Sequence, residues 1–156
     1  MNSKKLSLSI LIFLTSLLIL SGCSNAGISL ELDPNPVEFS QNETSRDLDL
    51  TVTTEGFGSL SLNNLIIEVI DENDEIIFDE EKEVNITLPV IGEHSKTVEY
   101  TLDLKKIFTP EEYDEYNSDE TFEEFYLRLL QDESHTLRLT VTGSNDSSLT
   151  AQINYN

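Results

Sequence analysis

Five stretches of this chain alternate apolar and polar residues one by one, and that period of two constrains the fold more than any other feature. Leu48, Leu50 and Val52 are separated by Asp49 and Thr51, and Val84, Ile86 and Leu88 by Asn85 and Thr87. Val98, Tyr100, Leu102 and Leu104 alternate with Glu99, Thr101 and Asp103. Leu137, Leu139 and Val141 alternate with Arg138 and Thr140; Leu149, Ala151, Ile153 and Tyr155 alternate with Thr150, Gln152 and Asn154. Successive side chains of an extended chain point to opposite faces, so each stretch predicts a strand with one face in a core and one in water.

Turn residues separate these strands: Asp33-Pro34-Asn35-Pro36, Gly56-Phe57-Gly58-Ser59, Asp71-Glu72-Asn73-Asp74 and Gly143-Ser144-Asn145-Asp146. The second of these, lacking a P-loop lysine, reads as a hairpin loop. Seven to eight short antiparallel strands at this spacing predict a mainly β fold, a two-sheet sandwich, with a small barrel as the alternative. The run Leu32-Asp33-Pro34-Asn35-Pro36-Val37-Glu38-Phe39, followed by an alternating strand, resembles the start of bacterial immunoglobulin-like modules. That resemblance covers residues 28 to 80, lacks the Cys–Trp–Cys core of antibody domains, and implies an architecture: an immunoglobulin-like antiparallel β-sandwich.

Leu65 to Ile70 and Glu75 to Phe78 break the alternation, being apolar on both faces. A strand of that kind is usually covered on both sides. A cover is available in a helical insert near residues 109–131. Thr109-Pro110-Glu111-Glu112 is a capping box with Pro at the first helical position, and Ser118 can cap a second helix. In that helix Phe122, Phe125, Tyr126, Leu129 and Leu130 follow a helical stripe. The insert is expected to pack on the outer face of the 65–78 hairpin; the plainer alternative is a plug for one open end of the sandwich.

The N-terminal segment carries a different message. Two lysines precede Leu6 to Leu20, an almost wholly apolar run whose helix would reach about 22 Å, short of a roughly 30 Å hydrocarbon core. That layout is a secretory signal, not a membrane span. It ends in Leu20-Ser21-Gly22-Cys23, which resembles the lipobox of bacterial lipoproteins. The resemblance covers residues 1 to 23. It implies that residues 1–22 are removed, that Cys23 is diacylated, and that residues 23–27 tether a single domain, 28–156, to a membrane. The plainer alternative is an ordinary signal with a chance Cys. Two acyl chains anchor stably where one does so marginally.

Removing residues 1–22 leaves 134 residues, enough for one domain burying roughly two thirds of its unfolded surface. The 9 Lys and Arg lose Lys4 and Lys5, leaving 7 against 30 Asp and Glu, a net charge of −23. Nucleic acid is an improbable partner for such a surface, because phosphate binding needs clustered Lys and Arg. Cys23 is the one cysteine, so no intramolecular disulfide forms. The acids are dispersed over several elements, which resembles proteins adapted to saline surroundings. Their repulsion weakens as salt shortens the Debye length to about 3 Å at 1 M.

Site chemistry is sparse. Asp71, Asn73 and Glu75 place oxygen ligands at alternate positions and are weak calcium candidates, but Ile76 stands where an EF-hand requires Gly. Asp132 and His135 have Asp-x-x-His spacing at a helix end, which dipole and carbonyl capping explain as well as a metal does. Tyr113 and Tyr116 are weak candidates for partner contact. No residue is assigned a catalytic role, and no cofactor is implied. The expected function is that of a lipid-anchored, extracytoplasmic, non-enzymatic binding or accessory module of the cell membrane or outer membrane. Its partner would be an envelope protein, peptide or polysaccharide. A calcium-binding lipoprotein is the first alternative, and a small carboxylate-dependent hydrolase the second.

Overall fold

The computed structural model describes residues 27–40, 43–108, 121, 124–125, 128, 130 and 133–155, without the side chains of 57, 90 and 155. The chain is mainly β. Its strands are β1 (Gly27–Asp33), β2 (Val37–Phe39), β3 (Ser45–Ile70), β4 (Ile76–Asp103), β5 (His135–Gly143) and β6 (Ser147–Tyr155). A one-turn helix, α1 (Leu104–Ile107), follows β4. Asp103 caps it by accepting the Lys105 N–H at 3.0 Å.

Six strands stand where the alternation predicted seven to eight, because two of them are very long. β3 and β4 form one antiparallel hairpin, paired almost without interruption from Ser45↔Asp103 to Ile70↔Ile76. The Gly56-Phe57-Gly58-Ser59 segment is therefore not a hairpin loop; it lies inside β3, opposite Gly92, Ile91, Val90 and Pro89. Gly56, Gly58 and Gly92 have φ of 129°, 130° and 91°, open to residues without a Cβ. The glycines bend the ribbon while pairing continues.

The long hairpin serves two sheet halves. The first part of β3 is flanked by β1, through Gly27↔Glu55 to Asp33↔Asp49, and by the last part of β4. The second part is flanked by β5, through Leu62↔Gly143 to Ile70↔Thr136, and by the first part of β4. β6 pairs with β5, and β2 runs parallel to β6 at Val37↔Ile153. Between the halves, residues 56–61 of β3 pair with 87–92 of β4 and, among the described residues, with no other strand, forming a two-stranded ribbon.

A register shift between Leu62 and Asn64 changes which residues face inward. Before it the buried apolar positions of β3 are Leu48, Leu50, Val52, Leu60 and Leu62, with Thr54 buried on the same row as the first three; after it they are Leu65, Ile67 and Val69. All belong to one hydrophobic cluster with Val98, Tyr100 and Leu102 of β4, Leu137, Leu139 and Val141 of β5, and Ile153 of β6. The two halves thus curl over a shared core. Leu65 to Ile70 reads as apolar on both faces because Ile66 and Ile70 stand on the outward row. Ile66 and Ile70 point outward and are half-buried, and Ile76 opposite Ile70 is 51% exposed, so any cover on this face is partial.

Most of the predicted helical insert, including Thr109, Ser118, Phe122, Tyr126 and Leu129, lies outside the described residues. Glu124, Phe125, Arg128 and Leu130 are helical. Thr121 starts this turn: its hydroxyl accepts the Glu124 N–H at 3.3 Å, and the Glu124 carboxylate accepts the Thr121 N–H at 2.8 Å. That reciprocal cap was not read from the sequence, although Thr-x-x-Glu is its signature. Phe125 and Leu130 are buried in the same cluster as Leu104, Ile107 and Phe108.

Candidate functional site

The strand directions give the molecule two dissimilar ends. At one end lie Gly27, the 56–61/87–92 ribbon and the β5–β6 turn at Gly143, which is pinned by Ser144 N–H donating to the Ser61 carbonyl at 2.8 Å. At the other lie the Asp71–Glu75 turn, His135 at the start of β5, α1 and the end of β1 at Asp33.

At the second end, Asp71 folds the β3–β4 turn around its own carboxylate. Its Oδ1 accepts the N–H groups of Glu75 at 2.8 Å and Asn73 at 2.9 Å, and Oδ2 accepts the Asn73 amide at 3.3 Å. The Glu75 N–H, with Asn73, holds the Asp71 carboxyl below its ordinary range. The three calcium candidates are thus engaged in turn geometry, with the Asn73 amide donating to Asp71. Among the described residues no group of three His, Cys, Asp or Glu is arranged to hold a metal ion.

His135 is 1% exposed, and neither ring nitrogen has a hydrogen-bond partner. Its ring meets Phe108 edge-on, centroids 5.1 Å apart at 81°. A Glu133 carboxylate oxygen lies 3.7 Å from Nε2. Burial pushes the imidazole below its usual pKa, opposed by the charges of Glu133, Asp71 and Glu72. Asp132, its proposed companion, lies outside the described residues, as do Tyr113, Tyr116 and Cys23.

A concavity among the described residues opens where β4 curls back on itself. It is a cleft of about 530 Å³ lined by Asp47, Leu48, Asp49, Lys82, Glu99, Tyr100 and Thr101. Lys82 Nζ donates to the Glu99 carbonyl at 2.9 Å, and the Tyr100 hydroxyl donates to Glu80 at 3.1 Å. Burial, and next the Glu80 carboxylate, push the Tyr100 hydroxyl well above its ordinary pKa. Thr101 donates to Asp47 at 2.7 Å. Asp49 and Glu99 are register partners, and Asp49 also faces Asp33 across β1. Asp47, Asp49 and Glu99 are all exposed. Chemically the cleft offers hydrogen-bond acceptors and one ammonium to a polar ligand.

The sequence marked Leu48, Asp49, Glu99, Tyr100 and Thr101 as strand residues only, and none of the lining as a site. The signal that bears on it is the run Asp79 to Glu83 on a strand whose inward row, Phe78, Glu80 and Lys82, turns polar at an open edge.

No protein-family model matches the chain, and no curated protein matches it. Among solved structures it is similar to the sporulation control protein Spo0M from Bacillus subtilis, with 13% identity over 84% of this chain and 49% of that one, TM-score 0.40. It is also similar to a β-glucosidase from Listeria innocua in complex with glucose, with 12% identity over 85% of this chain and 17% of that one, TM-score 0.41. A protein from Archaeoglobus fulgidus gives 5% identity over 82% of this chain and 90% of that one, TM-score 0.42. The chain thus spans about half of the first protein's length and a small part of the second's. At these identities and TM-scores the likenesses carry no argument about family or activity.

Proposed function

We propose that this protein is a membrane-anchored extracytoplasmic lipoprotein, a non-enzymatic binding or accessory module of the cell envelope. The observation that carries the reading is Leu20-Ser21-Gly22-Cys23 at the end of the apolar run, four residues ahead of the first strand at Gly27. A lipid on Cys23 would hold the domain by a short tether at the ribbon end. The curled, two-halved sheet is then an immunoglobulin-like sandwich with its helical insert at 109–131. The end bearing His135 and the Asp71–Glu75 turn faces away from the membrane, toward an envelope protein, peptide or polysaccharide. Loops held on a rigid scaffold are the usual contact surfaces.

The test is made in the native host. The N-terminal peptide of the mature protein should carry a diacylglyceryl group on Cys23, and Cys23→Ser should leave the membrane fraction. An unmodified thiol at Cys23, or an intact chain in the cytosol, overturns the reading. Crosslinking at the native membrane then identifies what the outward end touches.

A further inference from the structure

We infer that the 56–61/87–92 ribbon rests on the lipid surface and that Ile91 enters its headgroup layer; this deepens the anchored reading above and rests on it. Three observations converge. First, β1 read backwards from Gly27 heads the same way as β3 does beyond Glu55, because the two strands are antiparallel and Gly27 pairs with Glu55. The four residues from Gly27 back to Cys23 reach at most roughly 14 Å. The end of the molecule that carries the ribbon is therefore held close to the bilayer.

Second, among the described residues no third strand pairs with residues 56–60, and Ser61 is joined only by the β5–β6 turn through Ser144. Ile91, which pairs with Phe57, lies two residues past Glu93, about 7 Å further along the strand in the direction of the tether. Third, Ile91 is 76% exposed. The other exposed large apolar side chain among the described residues, Ile76, lies at the opposite end. A lone exposed apolar residue needs no explanation by itself. Its position beside the tethered strand gives this one a partner.

The depth follows from backbone chemistry. A two-stranded ribbon has unpaired backbone groups on both edges, which cannot enter hydrocarbon. The contact is thus confined to the headgroup layer. His94 donates from Nε2 to the Ile91 carbonyl at 3.1 Å, satisfying one such group. Glu55 and Glu93, opposite one another at the ribbon's edge, favour a neutral lipid surface over an anionic one.

The chain has no Trp, so Ile91→Trp supplies a single tryptophan whose emission is excited apart from that of the five tyrosines. The full lipidated protein is reconstituted in phosphatidylcholine vesicles, with Thr97→Trp, exposed on the same row of β4, as the reference. The Ile91→Trp emission should shift to the blue and lose intensity to brominated acyl chains, and Thr97→Trp should do neither. Anionic lipid should weaken the effect. Because Trp itself prefers membrane interfaces, a nitroxide on Ile91→Cys serves as the second probe. It should become shielded from a water-soluble relaxant. If the N-terminal peptide carries its lipid and both probes at Ile91 stay in water, the ribbon contact is wrong and the anchor stands. If the peptide carries no lipid, the anchor reading fails and this inference falls with it.

Discussion

Lys82 and Glu99 sit 17 positions apart on the same strand, yet the Lys82 ammonium donates to the Glu99 backbone carbonyl at 2.9 Å. β4 closes the open side of the curled sheet with its own two ends, and the Tyr100–Glu80 bond reinforces the seam. A net contribution of about 1 kcal/mol is expected from a hydrogen bond of this kind, less where it is exposed. Tyr100→Phe should lower stability by about 1 kcal/mol and Lys82→Met by less, with an unchanged denaturant slope. The double variant should fall short of the sum of the two, because both bonds hold one seam. Strict additivity in urea titrations would show that the seam is not a unit.

Gly143 tests the ribbon end. A Cβ built there would lie 2.1 Å from the Ser61 carbonyl oxygen and 2.9 Å from the Leu62 Cα, both backbone atoms that cannot swing away. Gly143→Ala should therefore destabilise by about 1–3 kcal/mol, the usual cost of overpacking. At Gly27 no atom lies within 4 Å of such a Cβ, so Gly27→Ala should leave the melting temperature nearly unchanged. Equal shifts in the two variants would contradict the close approach of the β5–β6 turn to β3.

Acid should act through His135 before it acts through the carboxylates. Burial keeps the folded-state pKa of His135 below 6.5, so the unfolded chain binds more protons in the interval beneath that value. Stability then rises with pH across the interval and is lost as pH falls from about 6.5 toward the folded value. Glu68 and Asp71 have lowered values, so their contribution is lost only below about 4.5. His135→Leu should flatten the fall in melting temperature between about pH 7 and about pH 5 while keeping the fall at lower pH. An unchanged profile would mean that His135 titrates as it does in the unfolded chain.

The charge imbalance makes salt a stabiliser. With 7 basic against 30 acidic residues beyond Gly22, the melting temperature should rise between about 0.05 M and about 2 M KCl. Among the described residues Arg138 is ion-paired with Glu68 at 2.7 Å and Arg46 with Glu43 at 3.5 Å, leaving most carboxylates without such a partner. A midpoint indifferent to KCl would show that the repulsion is already relieved in the folded chain.

Side-chain alternation made most of the strands legible, because period two survives in every stretch with one face buried. Leu48 to Val52 and Leu137 to Val141 are buried on the face expected. It failed at Gly56 to Ser59, where glycines that usually end a hairpin instead bend a paired ribbon, a distinction set by hydrogen bonds to residues some 35 positions away. Outward-facing Ile66 and Ile70 made Leu65 to Ile70 read as two-sided, although its buried row, Leu65, Ile67 and Val69, is regular. Thr121 was visible as a cap and overlooked for Ser118. The β4 cleft was not legible: its lining comes from Asp47, Lys82 and Glu99, brought together by curvature, which side-chain period does not encode.

The way β1 joins the sheet governs how the domain bears load. Its seven rungs with β3 run from Gly27 to Asp33, and antiparallel hydrogen bonds lie perpendicular to the strands. A pull on the chain at Gly27 acts along the β1 axis, so the rungs are sheared together instead of being unzipped one at a time. Under the proposed anchor at Cys23, a drag force on the far end of the protein would meet its resistance there, in the first strand.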